Sequence, residues 1–126
     1  YMYLSESMED MDGNVYPMVQ AVPGNVYRTK KLGRFGYITL TPNTKDTFRN
    51  GGNPVRGHEF HYFDSTDCGS AWHAAKPLRK RNWECIHATK RMMAGFPHLY
   101  YIASPHLALE FLEQCVSYRK EQEKTR

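Results

Sequence analysis

The sequence predicts a mixed α/β domain in which antiparallel strands precede a single terminal helix. From Val15 to about Phe63, short runs of β-type residues alternate with turn residues, a pattern typical of antiparallel strands. After Ser104, apolar residues recur at helical spacing. With 126 residues, 40% of them hydrophobic, the chain can bury one modest core, so one domain or part of one is expected.

Turn residues divide the strand region into separate elements. The first segment, Tyr1 to about Asp10, has helix-compatible residues and precedes the breaker pair Asp12-Gly13, so it is interpreted as the C-terminal end of a helix. The predicted strands are Tyr16–Val22, Val26–Lys30, Gly36–Thr41 and Val55–Phe63.

The second half of the chain carries weaker signals until its last element. The polar segment from Asp64 to Arg81 has no assignment. Short strands are predicted at Trp83–Ala88 and Leu99–Ile102. The helix is the clearest prediction, because Ser104 can cap it and Pro105 suits its first turn. Its apolar positions are Ala108, Phe111, Leu112 and Cys115.

Composition and charge argue against several function classes. The net charge of +4 can attract anionic partners. However, the basic cluster Arg79–Arg81 lacks the interleaved aromatic residues of an RNA-binding surface, so a solvated face or a dock for an anionic substrate is favoured over nucleic acid. No apolar run approaches the ~20 residues of a membrane span, so no membrane partner is expected.

The cysteines and the first residue bear on compartment and completeness. Cys68, Cys85 and Cys115 are widely spaced and form no C-x-x-C pair, which argues against a zinc or redox site and favours a reducing cytoplasm. The chain begins at Tyr1, without an initiator Met, and an apolar-rich segment starts at once; no signal-peptide pattern opens it. We therefore expect it to be a piece of a longer protein.

The stretch from Arg56 to Tyr62 concentrates an arginine, a carboxylate and two imidazoles on one extended element. Because side chains alternate along a strand, Glu59 and His61 should share one face and His58 should lie on the other. Histidines on opposite faces are poorly placed to ligate one ion, so no metal site is predicted. Two interpretations stay open: Arg56, His58, Glu59 and His61 support an active site or interface, or Glu59 pairs with a basic neighbour in a structural strand.

This stretch, Arg56-Gly57-His58-Glu59-Phe60-His61-Tyr62, resembles the R-G-H-E-F-H-Y signature of the cobyrinic acid a,c-diamide synthases. Earlier blocks resemble the family's Y-P-M-V, P-G and R-L-x-x-x-G-Y in the same order, at Tyr16–Val19, Pro23-Gly24 and Lys31–Tyr37. The segment Ala94–Tyr101, continuing to Phe111, resembles the family's A-S-Y-V-H-L-H-F…P-x-L-A-x-x-F. Nearly the whole chain is covered.

The resemblance implies the C-terminal part of a flavodoxin-like class I glutamine amidotransferase domain, with an antiparallel excursion and a terminal helix. In that family a cysteine attacks the glutamine amide, a histidine relays protons, and ammonia passes to a synthetase domain. There ATP and magnesium serve to activate the a- and c-carboxylates of cobyrinic acid for amidation, in cobalamin biosynthesis. The last block implies that His98 is the catalytic histidine, whose imidazole can deprotonate a thiol and protonate ammonia.

The nucleophile of the family lies outside this sequence. The family's elbow reads C-G-G-Y-M-Y-L, and the chain opens at Tyr1-Met2-Tyr3-Leu4, so the cysteine is expected three residues earlier. The ATP-binding domain, with its magnesium, is expected further upstream, and this chain is expected to bind no cofactor. Alone it should be inactive, because the thioester needs a thiolate. Cys68 follows no predicted strand and is not expected to substitute.

Two positions depart from related patterns. Tyr100 stands two residues after His98, where many class I amidotransferases have Glu and this family has His, so no third triad carboxylate is available locally. Pro97 replaces a valine of the family and restricts the backbone next to His98.

The predicted function is therefore the glutaminase part of an ATP-dependent carbon–nitrogen ligase. The alternatives are a non-catalytic amidotransferase-like binding module, or a sister ligase that amidates another tetrapyrrole. Expected partners are glutamine, a cobyrinic acid-type tetrapyrrole and the upstream synthetase domain. Self-association is also expected, because a domain cut at its elbow would expose an apolar sheet face.

Overall fold

The computed structural model describes residues 1–43, 48 and 50–125. Within these ranges the chain is mixed α/β, as predicted, with short strands, three 3₁₀ helices and one long terminal helix. The strands are β1 (Ser7–Glu9), β2 (Val15–Pro17), β3 (Asn25–Arg28), β4 (Phe35–Pro42), β5 (Val55–Phe60), β6 (Phe63–Ser65), β7 (Trp72–Ala75), β8 (Asn82–Cys85), β9 (His87–Thr89), β10 (Met92–Ala94) and β11 (His98–Leu99). Helix α1 spans Pro105–Thr125, and the 3₁₀ helices span Met2–Leu4, Asn50–Gly52 and Tyr101–Ala103.

The largest sheet has five strands in the order β11-β5-β4-β7-β8, and each neighbouring pair is antiparallel. Its longest pairing joins β4 to β5, where Tyr37 lies opposite His58. On the other side of β5, the edge strand β11 places His98 opposite His58. Tyr37, His58 and His98 therefore form one row across three strands.

Alternation along β4 and β5 determines which face of this sheet is the core. Ile38 and Leu40 in β4 are buried, and so are Val55, Gly57 and Glu59 in β5, whereas the residues between them are more exposed. The core cluster is completed by Phe48, Ala71, Trp72, Ala74, Cys85, Ile86 and Leu107. One face of the sheet is thus closed by apolar packing, and the other remains available for a site.

The N-terminal segment is helical only in the 3₁₀ helix Met2–Leu4 and continues as strand β1, so its prediction as the end of a helix reaching about Asp10 was wrong for most of its length. The Asp10 carboxylate accepts hydrogen bonds from the backbone N–H groups of Asp12 and Asn14, both at 2.8 Å, and this turn folds β1 against β2. Strand β1 also pairs with β3 in parallel, within a four-stranded sheet of order β2-β1-β3-β6. Pairing with two neighbours therefore overrides the helix-compatible composition.

The other predicted strands are present with different limits. Strand β2 ends at Pro17, whereas the prediction extended to Val22, and β5 ends at Phe60 instead of Phe63. The predicted strand at 83–88 is two strands, β8 and β9, separated at Ile86. Of the predicted strand at 99–102, only Leu99 is in a strand, β11, and residues 101 and 102 lie in the 3₁₀ helix that follows. The unassigned polar segment contains β7, which pairs with both β4 and β8.

Helix α1 begins at Pro105 as predicted, but most of its apolar positions are not buried. Leu107 is its buried residue, whereas Phe111 and Leu112 are each 57% exposed. The helix is attached to the 3₁₀ helix Asn50–Gly52 through Glu110, whose carboxylate accepts hydrogen bonds from the backbone N–H groups of residues 50 and 51 at 2.9 and 2.8 Å. In the described part of the chain, no helix has both the length and the apolar character to cross a bilayer.

The turn between β8 and β9 contains a strained residue held by close packing. Ile86 has φ of 66°, in the left-handed region that β-branched residues rarely adopt, and is only 1% exposed. The backbone of Gly69 lies so close that a Cβ there would be 2.4 Å from the carbonyl carbon and oxygen of Ile86. Only a glycine fits this contact.

We expect Gly69→Ala to destabilise the chain considerably more than Gly52→Ala. Both glycines have positive φ, 79° and 87°, so either alanine incurs a left-handed cost of about 1–2 kcal/mol. Gly52 has open space where a Cβ would lie, whereas alanine at Gly69 also clashes with the Ile86 backbone and should cost roughly 2 kcal/mol more. Urea unfolding measures both variants, and equal losses would contradict the packing described.

Candidate active site

Strand β5 divides the predicted site residues between two faces of the sheet. Arg56 and His58 lie on the face away from the core, while Glu59 points into the core and is 0% exposed. His61 follows the end of the strand and contacts Glu59. The structure therefore brings Arg56 and His58 together with His98, and it places Glu59 and His61 in a separate, buried group.

The face away from the core lines a cavity of about 680 Å³. The ring centroids of His58 and His98 are 6.0 Å apart, and the Tyr37 ring is 5.8 Å from that of His58. The other lining residues are Ile38, Thr39, Arg56, Gly57, Pro77, Leu99 and Tyr100. Apolar walls with a few convergent polar groups are the usual form of a small-molecule site.

The position of His98 follows from a two-residue edge strand. Pro97 has no backbone N–H, and pairing with β5 begins at the next residue. The Tyr100 N–H continues the pairing by donating to the Arg56 carbonyl at 2.9 Å. Because Leu99 packs against the core, its neighbours His98 and Tyr100 both face the cavity.

No carboxylate is found among the described residues that line this cavity. Tyr100, two residues after His98, supplies a phenol at that position instead. Within the described chain, neither the imidazole of His98 nor that of His58 has a hydrogen-bond partner. Arg56 likewise makes no hydrogen bond or ion pair there. The cavity thus contains three nitrogen-bearing groups that remain free to contact a ligand.

The buried group is an ion pair beneath the opposite face of β5. His61 Nε2 is 2.8 Å from a Glu59 carboxylate oxygen, and His61 Nδ1 is 2.5 Å from the Phe63 carbonyl oxygen. The Phe63 carbonyl can only accept, so Nδ1 carries a proton, and an ionised Glu59 carboxylate accepts from Nε2–H, so the pair is an imidazolium with a carboxylate. The Trp83 indole N–H donates to the second Glu59 oxygen at 3.2 Å. The buried carboxylate therefore has a partner at each oxygen.

The surroundings of His61 raise its pKa above the ordinary value. Burial is the largest influence and would lower the pKa, but hydrogen bonds to the Glu59 carboxylate and the Phe63 carbonyl act in the opposite direction. The negative charges of Glu59 and Asp64 add to them, and the net effect is an increase. The protonated form of His61 is thus stabilised by folding.

Phe96 connects this ion pair to the segment that carries His98. Its ring stacks on the His61 imidazole, with centroids 4.1 Å apart and an angle of 13° between the planes. The Phe96 and Tyr1 ring centroids are 4.8 Å apart, with an angle of 77° between the ring planes. Phe96, two residues before His98, therefore contacts both Tyr1 and the buried pair.

Cys68 lies in surroundings that do not activate a thiol. Its Sγ atom is 3.4 Å from the Arg34 guanidinium and 3.4 Å from the Asp64 carboxylate. Burial and the charge of Asp64 raise the pKa of the Cys68 thiol, although Arg34 acts against them. A raised pKa leaves less thiolate at neutral pH, which supports the expectation that Cys68 does not replace the nucleophile.

Sequence reasoning missed Trp83 and Phe96 as partners of the buried pair. Both are far from Glu59 along the chain, and only the pairing of distant strands brings them together. One signal was available in the sequence. Glu59 shares a strand face with Val55 and Gly57, and a carboxylate on such an apolar face requires hydrogen-bond donors nearby. Among the described residues, no group of three or more His, Cys, Asp or Glu side chains is arranged to hold a metal ion.

The sequence is similar to those of known proteins over most of its length. No protein-family model matches the sequence. The cobyrinate a,c-diamide synthase of Caldanaerobacter subterraneus is 32% identical over 119 residues, which are 93% of this chain and 26% of that protein. Those of Fusobacterium nucleatum and Salmonella typhimurium are 39% and 30% identical over 82% and 88% of the chain, and over 23% and 25% of their own lengths.

The chain thus has a mixed α/β fold, and two histidines lie close together on the open face of its antiparallel sheet. This chain is homologous, over most of its length, to part of the cobyrinate a,c-diamide synthases. It spans about a quarter of the length of the curated relatives it matches.

We expect the chain to lose stability as the pH rises through the raised pKa of His61. The ordinary pKa is about 6.5 in the unfolded chain. It is higher in the folded state, so the contribution of His61 is fully present below that value and is lost as pH rises through the folded pKa. Across this window the free energy of unfolding should fall by up to about 1.4 kcal/mol per pH unit.

Denaturant unfolding between pH 6 and pH 8.5 measures this dependence. His61→Gln should flatten the profile over the window. His73→Gln is the matched control, because His73 also contacts a glutamate, Glu84, but both side chains are substantially exposed, 37% and 49%. A His61→Gln profile that keeps the wild-type slope would show that the pair does not titrate as described.

Proposed function

We propose that this chain forms the C-terminal part of a glutamine amidotransferase domain within an ATP-dependent ligase. The ligase would amidate the a- and c-carboxylates of cobyrinic acid in cobalamin biosynthesis, with glutamine as the ammonia donor. The names of the relatives support the substrate, since each is called a cobyrinate a,c-diamide synthase. The observation that carries the glutaminase assignment is the free imidazole of His98 in a cavity beside His58.

His98 is proposed to relay protons between a cysteine thiol and the nitrogen of the glutamine amide. In the first step the imidazole takes the thiol proton, and the thiolate attacks the amide carbon. The carbon–nitrogen bond then breaks, the imidazolium gives its proton to the departing nitrogen, and ammonia leaves. Water next hydrolyses the thioester to glutamate. Each step needs an imidazole that is accessible and unpaired, and His98 has both properties in the described structure.

The remaining parts of the reaction are assigned to the longer protein of which this chain would be a quarter. The nucleophilic cysteine is proposed to precede Tyr1, whose ring lies against Phe96 and thus close to the segment of His98. ATP and magnesium would act in a separate synthetase domain, where ATP supplies the activation of each carboxylate. A cytoplasmic location accords with the free thiols of the chain.

In the longer protein, His98→Asn should abolish most glutamine-dependent amidation while the fold is kept. The side chain is exposed and has no hydrogen-bond partner among the described residues, so its loss removes a base without disturbing the core. The expected fall in kcat/KM with glutamine is about 100-fold to 10,000-fold. Amidation with free ammonia should persist, because ammonia bypasses the glutaminase step.

His106→Asn is the matched control, because His106 is also exposed but lies at the start of α1, outside the cavity. Both activities should survive that change. If His98→Asn keeps glutamine-dependent amidation while His61→Asn abolishes it without unfolding the protein, the relay lies in the buried pair and the assignment of His98 is wrong. Amidation that never depends on glutamine would favour the non-catalytic binding module.

A further inference from the structure

The cavity holds a charged group, Arg56, whose role the proposed glutaminase reaction does not include. Arg56 lies on the same face of β5 as His58 and lines the same cavity as His98. We infer that Arg56 binds the α-carboxylate of glutamine, and so selects the free amino acid as ammonia donor. This inference rests on the proposed function, and it adds a substrate-binding residue to it.

Strand geometry gives the separation of the two groups. Tyr100 pairs with Arg56 through its backbone N–H, and His98 lies opposite His58. Arg56 and His98 therefore lie diagonally across the strand pair, two residues apart along it, with their Cα atoms about 7–8 Å apart. In extended glutamine, four carbon–carbon bonds separate the carboxylate carbon from the amide carbon by about 5 Å. A carboxylate held by Arg56 can thus place its amide beside His98.

The electrostatics of the cavity also favour an anionic group at this point. The described lining residues include no carboxylate, and the nearest acid along β5, Glu59, faces the core, where His61 and Trp83 occupy its oxygens. The Arg56 guanidinium has no protein partner in the described chain. Its planar fork matches a carboxylate in a bidentate contact.

The test compares L-glutamine with 4-aminobutanamide, which has the same amide and amine but no carboxylate. In the longer protein, Arg56→Gln should raise the KM for L-glutamine about tenfold to a hundredfold, since a charge-assisted bidentate contact is lost. The kcat should change little, and the preference for L-glutamine over 4-aminobutanamide should shrink by the same factor. Arg56→Lys should restore part of the preference, because it keeps the charge but not the fork.

Arg79→Gln is the matched control, because Arg79 is exposed and does not line the cavity, so it should leave both substrates unaffected. Ammonia-dependent amidation reports on the integrity of each variant. If Arg56→Gln keeps that activity and leaves the preference for L-glutamine unchanged, the inference is overturned. In that case a loss of glutamine use in His98→Asn would leave the proposed function standing. If the protein shows no glutamine-dependent amidation, both the inference and the proposed function fail.

Discussion

A fully buried carboxylate must keep its charge compensated, and this requirement constrains the chain on both sides of β5. Glu59 is 0% exposed. An ionised carboxylate transferred from water to an apolar interior without partners costs far more than a domain's whole stability. The imidazolium of His61 and the indole of Trp83 supply those partners. Removing His61 or Trp83 would leave a buried Glu59 oxygen without its partner, which is more costly than replacing the whole group by apolar residues.

This constraint explains where β5 ends. An uninterrupted strand through Phe63 would hold His61 at strand spacing from Glu59, but the imidazole instead contacts both Glu59 and the Phe63 carbonyl. The chain must turn after Phe60 to allow these contacts, and pairing resumes only in β6. The buried pair also fixes the register of β5, because a slip of one residue would expose the pair and bury Arg56 and His58. The composition of the cavity is thus a consequence of what the core requires.

Local patterns in the sequence were sufficient for much of this architecture. Alternating residues predicted β4 and β5, and the helical spacing after Ser104 predicted α1, because both signals come from periodicity within one element. The segment before Asp10 was misassigned, since its strand depends on partners 6 to 18 residues away. The exposure of Phe111 could not be predicted either, because periodicity shows which residues share a face but not whether another element covers it.

The candidate site, like the fold, was predictable from the sequence only in part. The sequence singled out Arg56, His58 and His98, and strand alternation separated His58 from Glu59. The contact between His58 and His98 could not be anticipated, because it depends on the register of a two-residue edge strand 40 positions away. Trp83 and Phe96 became visible only when their strands were paired. Register between distant strands is a tertiary property, and residue types alone leave it undetermined.

The two faces of β5 differ in what they contribute to folding, and this difference bears on function. On the core face, each polar atom of Glu59 and His61 has a partner, as stability demands. On the cavity face, Arg56, His58 and His98 lack hydrogen-bond partners in the described chain, so the fold gains little from their polar groups. Packing alone would be served as well by apolar or neutral side chains. Three such groups around one cavity are therefore better explained by a ligand than by the stability of the sheet.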